Sequence, residues 1–114
     1  MCGIAGMTGA GSDINLVARM NDSIRHRGPD GDGLWSAPGV AFGHRRLRII
    51  DLSEAGRQPM STPDGRYTII FNGEVYNYIE LRAELPDVRW RSKSDTGVIL
   101  HAYARWGDDC VRRF

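Results

Sequence analysis

Two places in this chain of 114 residues combine residue types that can make and break bonds: Cys2 followed by Gly3, and Asn72-Gly73-Glu74 far downstream. Once Met1 is removed, Cys2 carries a thiol and a free α-amino group on one residue. An amine titrating near ~7.7–8.0 is suited to take the thiol proton, directly or through a water, and the thiolate is the nucleophilic form. Asn72-Gly73 ends a β-branched and aromatic run, so a side-chain amide and an unencumbered backbone N–H can aim at one point, as an oxyanion hole requires. Arg46 offers a planar fork that suits a carboxylate. Each feature also has a plain structural reading. The first six residues suit a short strand with a buried cysteine, Asn-Gly suits a hairpin turn, and Asp95, after Ser94, suits a helix cap.

The elements that must position these groups follow from periodicity. Residues 2–8 read as a buried strand. The glycine-rich turn after it fails as a dinucleotide motif, because the third glycine of a G-x-G-x-x-G begun at Gly9 falls on Ile14. Ser12 or Asp13 caps a helix over 14–25, with Ile14, Val17, Met20 and Ile24 on one face. The run His26-Arg27-Gly28-Pro29-Asp30-Gly31-Asp32-Gly33 is dense in turn formers and charge. As a calcium loop it fails, since Leu34 stands where the third ligand belongs and Ala41 where the closing glutamate should be. It reads equally as a solvated loop and as one facing a substrate. Strands are predicted over 34–36 and 40–50, the second with Phe42, His44 and Arg46 on one face and Arg45, Leu47 and Ile49 on the other. A further strand is predicted over 67–71, a short helix over 78–85 stopped by Pro86, with Ile79, Leu81 and Leu85 available for packing, and a strand over 88–91. Ser94-Asp95-Thr96 then caps a long helix that buries Ile99, Leu100, Tyr103 and Trp106.

Composition narrows the function. One domain over 1–114, with 41% hydrophobic residues, can hold a core. Lys93 is the only lysine and no Gly-Lys-Ser/Thr occurs, which disfavours a phosphate loop. No apolar run approaches the ~20 residues of a membrane span, and nothing before Cys2 serves as a leader, so Cys2 and Cys110 are expected as free thiols in the cytoplasm. Arg25, Arg27, Arg45, Arg46 and Arg48 raise the alternative of a phosphate- or RNA-binding module. A net charge of +1 argues against nucleic acid as a partner. A rival enzyme reading is a Cys–His thiol hydrolase with His26 or His44 as base.

Taken in order, Met-Cys-Gly-Ile-Ala-Gly, Arg25-His26-Arg27-Gly28-Pro29-Asp30, Gly43-His44-Arg45-Arg46-Leu47, Ile50-Asp51-Leu52, Gln58-Pro59-Met60, Phe71-Asn72-Gly73-Glu74-Val75-Tyr76-Asn77 and Ser94-Asp95-Thr96 resemble the glutaminase domain of glutamine-dependent asparagine synthetases. These are class II glutamine amidotransferases of the N-terminal-nucleophile hydrolase superfamily. The resemblance implies an α+β fold, part of a four-layer α/β/β/α sandwich of antiparallel sheets, of which this chain makes roughly the first half. It implies that Cys2 attacks the carboxamide of L-glutamine, that Asn72 and Gly73 form the oxyanion hole, and that Arg46 holds the α-carboxylate. Glu74 and Asp95 then face the α-amino group, and Ile49 and Ile50 add backbone contacts. No metal or cofactor is implied here. ATP and magnesium belong to a carboxy-terminal synthetase domain, the expected partner in the same parent chain, and a homodimer is compatible with the architecture. Relatives of this architecture also amidate other carboxylates. Gly97 departs from the family's usual glutamate and predicts a less firmly held Asp95.

Overall fold

The alternation over 40–46 makes β3 (Val40–Arg46) the centre of a three-stranded antiparallel sheet in the computed structural model, which describes residues 1–114. β1 (Gly3–Thr8) pairs with it from Gly3↔Arg45 to Thr8↔Val40, and β2 (Gly31–Ala37) from Gly31↔Arg46 to Ala37↔Val40. Because side chains alternate across a strand, Phe42, His44 and Arg46 share one face as predicted, and Ala41, Gly43 and Arg45 the other. Trp35 stacks on Phe42 with ring centroids 5.7 Å apart. β3 stops at Arg46 instead of running on to residue 50. There the Asp30 N–H takes the Arg46 carbonyl at 3.0 Å, and the Asp30 carboxylate takes the Arg48 N–H at 2.9 Å, so a loop replaces the ladder.

Helix α1 (Ile14–Ser23) begins at Asp13, whose carboxylate accepts from the Asn15 and Leu16 N–H groups. It docks on the sheet through Val17 and Asn21, both buried, while Met20 is turned outward. Of the expected apolar stripe, Val17 is buried and Ile14 and Ile24 are half-buried, and Met20 alone is exposed; a polar contact also holds the helix. Arg45 donates from Nε to the Asn21 carbonyl at 2.9 Å and pairs with Asp22 at 2.8 Å. With Arg57–Pro59 and Ile70–Asn72, residues Met1–Ile49 form the first of two compact units.

The second unit comprises Ile50–Gly56, Met60–Ile69 and Gly73–Phe114. β4 (Met60–Ser61) and β5 (Thr68–Ile69) make a two-stranded antiparallel sheet, so the strand predicted over 67–71 keeps only its middle in a ladder. Helices α2 (Tyr78–Ala83) and α3 (Asp95–Trp106) follow. Leu81 and Leu85 are buried, whereas Ile79 and Tyr103 are exposed, against expectation. Leu85, Ala102 and Cys110 pack with Val88, Trp90 and Trp106. The predicted strand over 88–91 does not form. Side chains hold that segment instead, with Trp90 taking the Arg82 guanidinium at 4.4 Å and the His101 ring at 5.3 Å. Both cysteines are unpaired. The chain is α+β with antiparallel sheets, and no helix is long and apolar enough to cross a membrane.

Candidate active site

Cys2 lies one residue ahead of β1, and its thiol sits against the segment that follows Arg46. Sγ accepts from the Leu47 N–H at 3.3 Å and approaches the Leu47 carbonyl at 3.6 Å. The Cys2 carbonyl accepts from Arg27 Nε at 3.1 Å. The Cys2 thiol and Arg46 are thus set by one piece of backbone: Arg46 closes β3, and Leu47, next in sequence, seats the sulfur. The hydrogen-bond partners of the Cys2 sulfur are the two polar atoms of Leu47, and no histidine is among them.

The His26–Gly33 run is neither a free solvated loop nor a calcium loop. A short 3₁₀ turn (Arg25–Arg27) leads into Gly28, which packs directly on the Arg45–Arg46 peptide; there a Cβ would overlap backbone atoms. Arg27 then reaches Cys2, and Asp30 holds Arg46 and Arg48. Asp32 faces Arg45 at 3.9 Å. These residues form a clamp on the backbone of Cys2, Arg46 and Arg48. The sequence signal was present as a cluster of turn formers and charges, but it does not say which backbone groups the charges serve.

His44, on the same face of β3 as Arg46, is buried with neither ring nitrogen completing a hydrogen bond. Burial drives its pKa from 6.5 down to about 4; the Phe71 backbone beside the ring opposes this, and the Arg46 charge adds to it. The ring is therefore neutral in the folded protein at pH 7. Between pH 6.5 and 4 the unfolded chain binds one more proton at this residue than the folded chain, so stability is complete above about 6.5 and is lost as pH falls toward 4. The loss is about 3 kcal/mol. Urea unfolding from pH 7 to 4 is expected to show this decline in the wild type, and a shallower one in His44→Gln.

Asn72 is half-buried, and its amide makes no hydrogen bond within the chain. The residue before it is fixed: the Phe71 N–H donates to Gln58 Oε1 at 2.6 Å. Asn72-Gly73 forms no hairpin turn, since no strand pairs across it. Ile49, 60% exposed, completes the predicted residues of the first unit.

Ile50, Gly73, Glu74 and Asp95 belong to the second unit. Gly73 and Glu74 are exposed, and Asp95 is buried at the start of α3. Asp95 does more than cap: Oδ2 accepts from the Val75 N–H at 3.0 Å and Oδ1 from the Thr96 N–H at 2.8 Å. Ser94 supplies the cap, accepting from Gly97 N–H at 3.4 Å. So Asp95 is firmly held despite Gly97, and it fixes the backbone directly after Glu74. Asp51, which sequence reasoning gave no role, similarly joins the Ser53 N–H at 2.9 Å to the Lys93 N–H at 2.8 Å.

Known proteins match the chain along nearly its whole length. The chain is 44% identical over 119 residues to the glutamine-hydrolyzing asparagine synthetase 3 of Bacillus subtilis (strain 168), covering 97% of this chain and 19% of that protein. It is 43% identical over 121 residues to asparagine synthetase 1 of the same organism, covering 99% and 19%. A putative asparagine synthetase 2 of Methanocaldococcus jannaschii is 36% identical over 134 residues, covering 100% and 26%. The chain thus spans about a fifth to a quarter of the length of these relatives. The model of the glutamine amidotransferase domain matches residues 1–114, and this chain belongs to that family.

Proposed function

We propose that this chain hydrolyses L-glutamine to glutamate and ammonia through Cys2, as the ammonia-supplying domain of a longer, glutamine-hydrolysing asparagine synthetase. The observation that carries the reading is the seating of the Cys2 thiol on Leu47, immediately after Arg46. With Met1 removed, the Cys2 α-amine accepts the thiol proton and the sulfur attacks the side-chain carbonyl carbon of glutamine. The carbonyl oxygen becomes an oxyanion received by the Asn72 amide and the Gly73 N–H. As the C–N bond breaks, the amine's proton passes to the departing nitrogen, which leaves as ammonia. Water then cleaves the glutamyl thioester and restores the thiol.

Arg46 holds the α-carboxylate, Glu74 and Asp95 the α-amino group, and Ile49 and Ile50 contribute backbone contacts. A zwitterionic ligand needs a fork-shaped cation at one end and carboxylates at the other. The antiparallel sheets support assignment to the four-layer sandwich, with further layers supplied by residues outside this chain. ATP and magnesium are assigned to the synthetase domain of the longer protein. Incubation with L-glutamine is expected to release glutamate and ammonia in equal amounts. Arg46→Lys should raise the glutamine KM about ten- to a hundredfold, because a point charge cannot reproduce two parallel bonds to a carboxylate. An unchanged KM removes Arg46 from the site.

A further inference from the structure

Residues 57–59 are tied to β2 from two sides. Arg57 Nε donates to the Asp32 carbonyl at 2.9 Å. The Gln58 carbonyl packs so closely on Gly33 that any Cβ there would overlap it. Gln58 itself is 6% exposed, and its side-chain oxygen takes the Phe71 N–H at 2.6 Å. Extending the pairing Ser61↔Thr68 and Met60↔Ile69 by two places sets Gln58 opposite Phe71. The backbone ladder does not continue there, because the Gln58 carbonyl is turned onto Gly33. The Gln58 side chain supplies the acceptor that the backbone withholds, one residue before Asn72.

We infer that Gln58 is a positioning residue for glutamine hydrolysis, anchoring the Phe71 backbone to β2 so that the Asn72 amide is held where the oxyanion forms. The inference rests on the assignment of Asn72 made above. Its physical logic is that an oxyanion donor works only when already aimed, since a donor that must reorganise during the reaction loses most of its effect. Gln58 touches neither sulfur nor substrate in this scheme. It acts in the transition state through Asn72, so its loss should appear in kcat and leave ground-state binding by Arg46 alone.

The test uses the full-length synthetase. Gln58→Met keeps the length and removes the acceptor; Gln58→Glu keeps an acceptor. The methionine variant is expected to lose about 10- to 100-fold in kcat for glutamine hydrolysis, with KM and ammonia-dependent asparagine synthesis within about twofold of wild type. Alkylation of Cys2 by iodoacetamide, which passes through no oxyanion, should keep its wild-type rate. Gln58→Glu should recover most of the lost kcat. Combined with Asn72→Ala, Gln58→Met should add nothing, because both changes remove the same donor. Should the methionine variant also lose ammonia-dependent synthesis, the shorter Gln58→Asn is scored by the same kcat, KM and alkylation criteria. Full additivity with Asn72→Ala, a rise in KM at constant kcat, or an unchanged kcat each overturns the inference. If Asn72→Ala slows hydrolysis and the Gln58 variants do not, the role of Gln58 alone fails. If Asn72→Ala itself has no effect, the oxyanion assignment falls and takes this inference with it.

Discussion

Cys2→Ala is expected to abolish glutamine-dependent amide synthesis in the full-length protein while ammonia-dependent synthesis continues at the wild-type rate. Alanine removes the sulfur that forms the thioester in the proposed reaction and leaves β1 intact, since Cys2 precedes the strand and its other anchor, the carbonyl held by Arg27, is a backbone group. The loss should reach at least about 10³-fold, as when other enzymes lose a nucleophile. Ammonia added from solution bypasses the first reaction, so the second activity reports whether the protein still folds. Intact-mass measurement belongs to the same experiment. The active wild type should lack Met1, because a preceding residue converts the α-amine into an amide with no basicity. A fully active enzyme that retains Met1 would exclude the α-amine as base. If both activities fell together in Cys2→Ala, the cysteine would be structural.

Candidate groups are easier to read in the sequence than the contacts around them. Cys2, Asn72 and Arg46 stand out as candidates because their chemistry is local: a thiol beside a prospective amine, an amide next to a glycine, a guanidinium on an alternating strand. The face shared by Phe42, His44 and Arg46 was equally legible, since a period of two dictates it. The clamp was not. Arg27 and Asp30 act on backbone atoms of Cys2, Arg46 and Arg48, and a side chain bonded to a distant carbonyl or N–H leaves no periodic trace. Gln58 was visible only as part of a resembling block, with no role attached. Residues 88–91 carry a strand-like local pattern, but Trp90 packs against Arg82 and His101 and no ladder forms, so tertiary contacts decide that segment.

Gly28→Ala is expected to be strongly disruptive for a change of a single methyl group. A Cβ on Gly28 would lie 2.5 Å from the Arg45 carbonyl oxygen and closer still to the Arg45 carbonyl carbon and the Arg46 nitrogen. Its φ of −145° is open to any residue, so the demand for glycine comes from this close approach and not from backbone handedness. Backbone atoms paired in a ladder cannot rotate aside as a side-chain tip would. Either β3 retreats or the loop lifts. A lifted loop carries Arg27 away from the Cys2 carbonyl, now 3.1 Å distant, and Asp30 away from the Arg46 carbonyl at 3.0 Å. The cost should be about 3 kcal/mol in stability, at the upper end for overpacking. A displacement of about 1 Å at the nucleophile should lower glutamine hydrolysis about 100-fold. Gly11→Ala is the matched control, because nothing lies within 4 Å of the added Cβ; it should stay within about 0.5 kcal/mol of wild type. Urea unfolding and glutamate release measured on both variants separate the outcomes. If Gly28→Ala unfolds with the wild-type midpoint and hydrolyses glutamine at the wild-type rate, the loop does not clamp the strand and the packing described between Gly28 and Arg45–Arg46 is wrong.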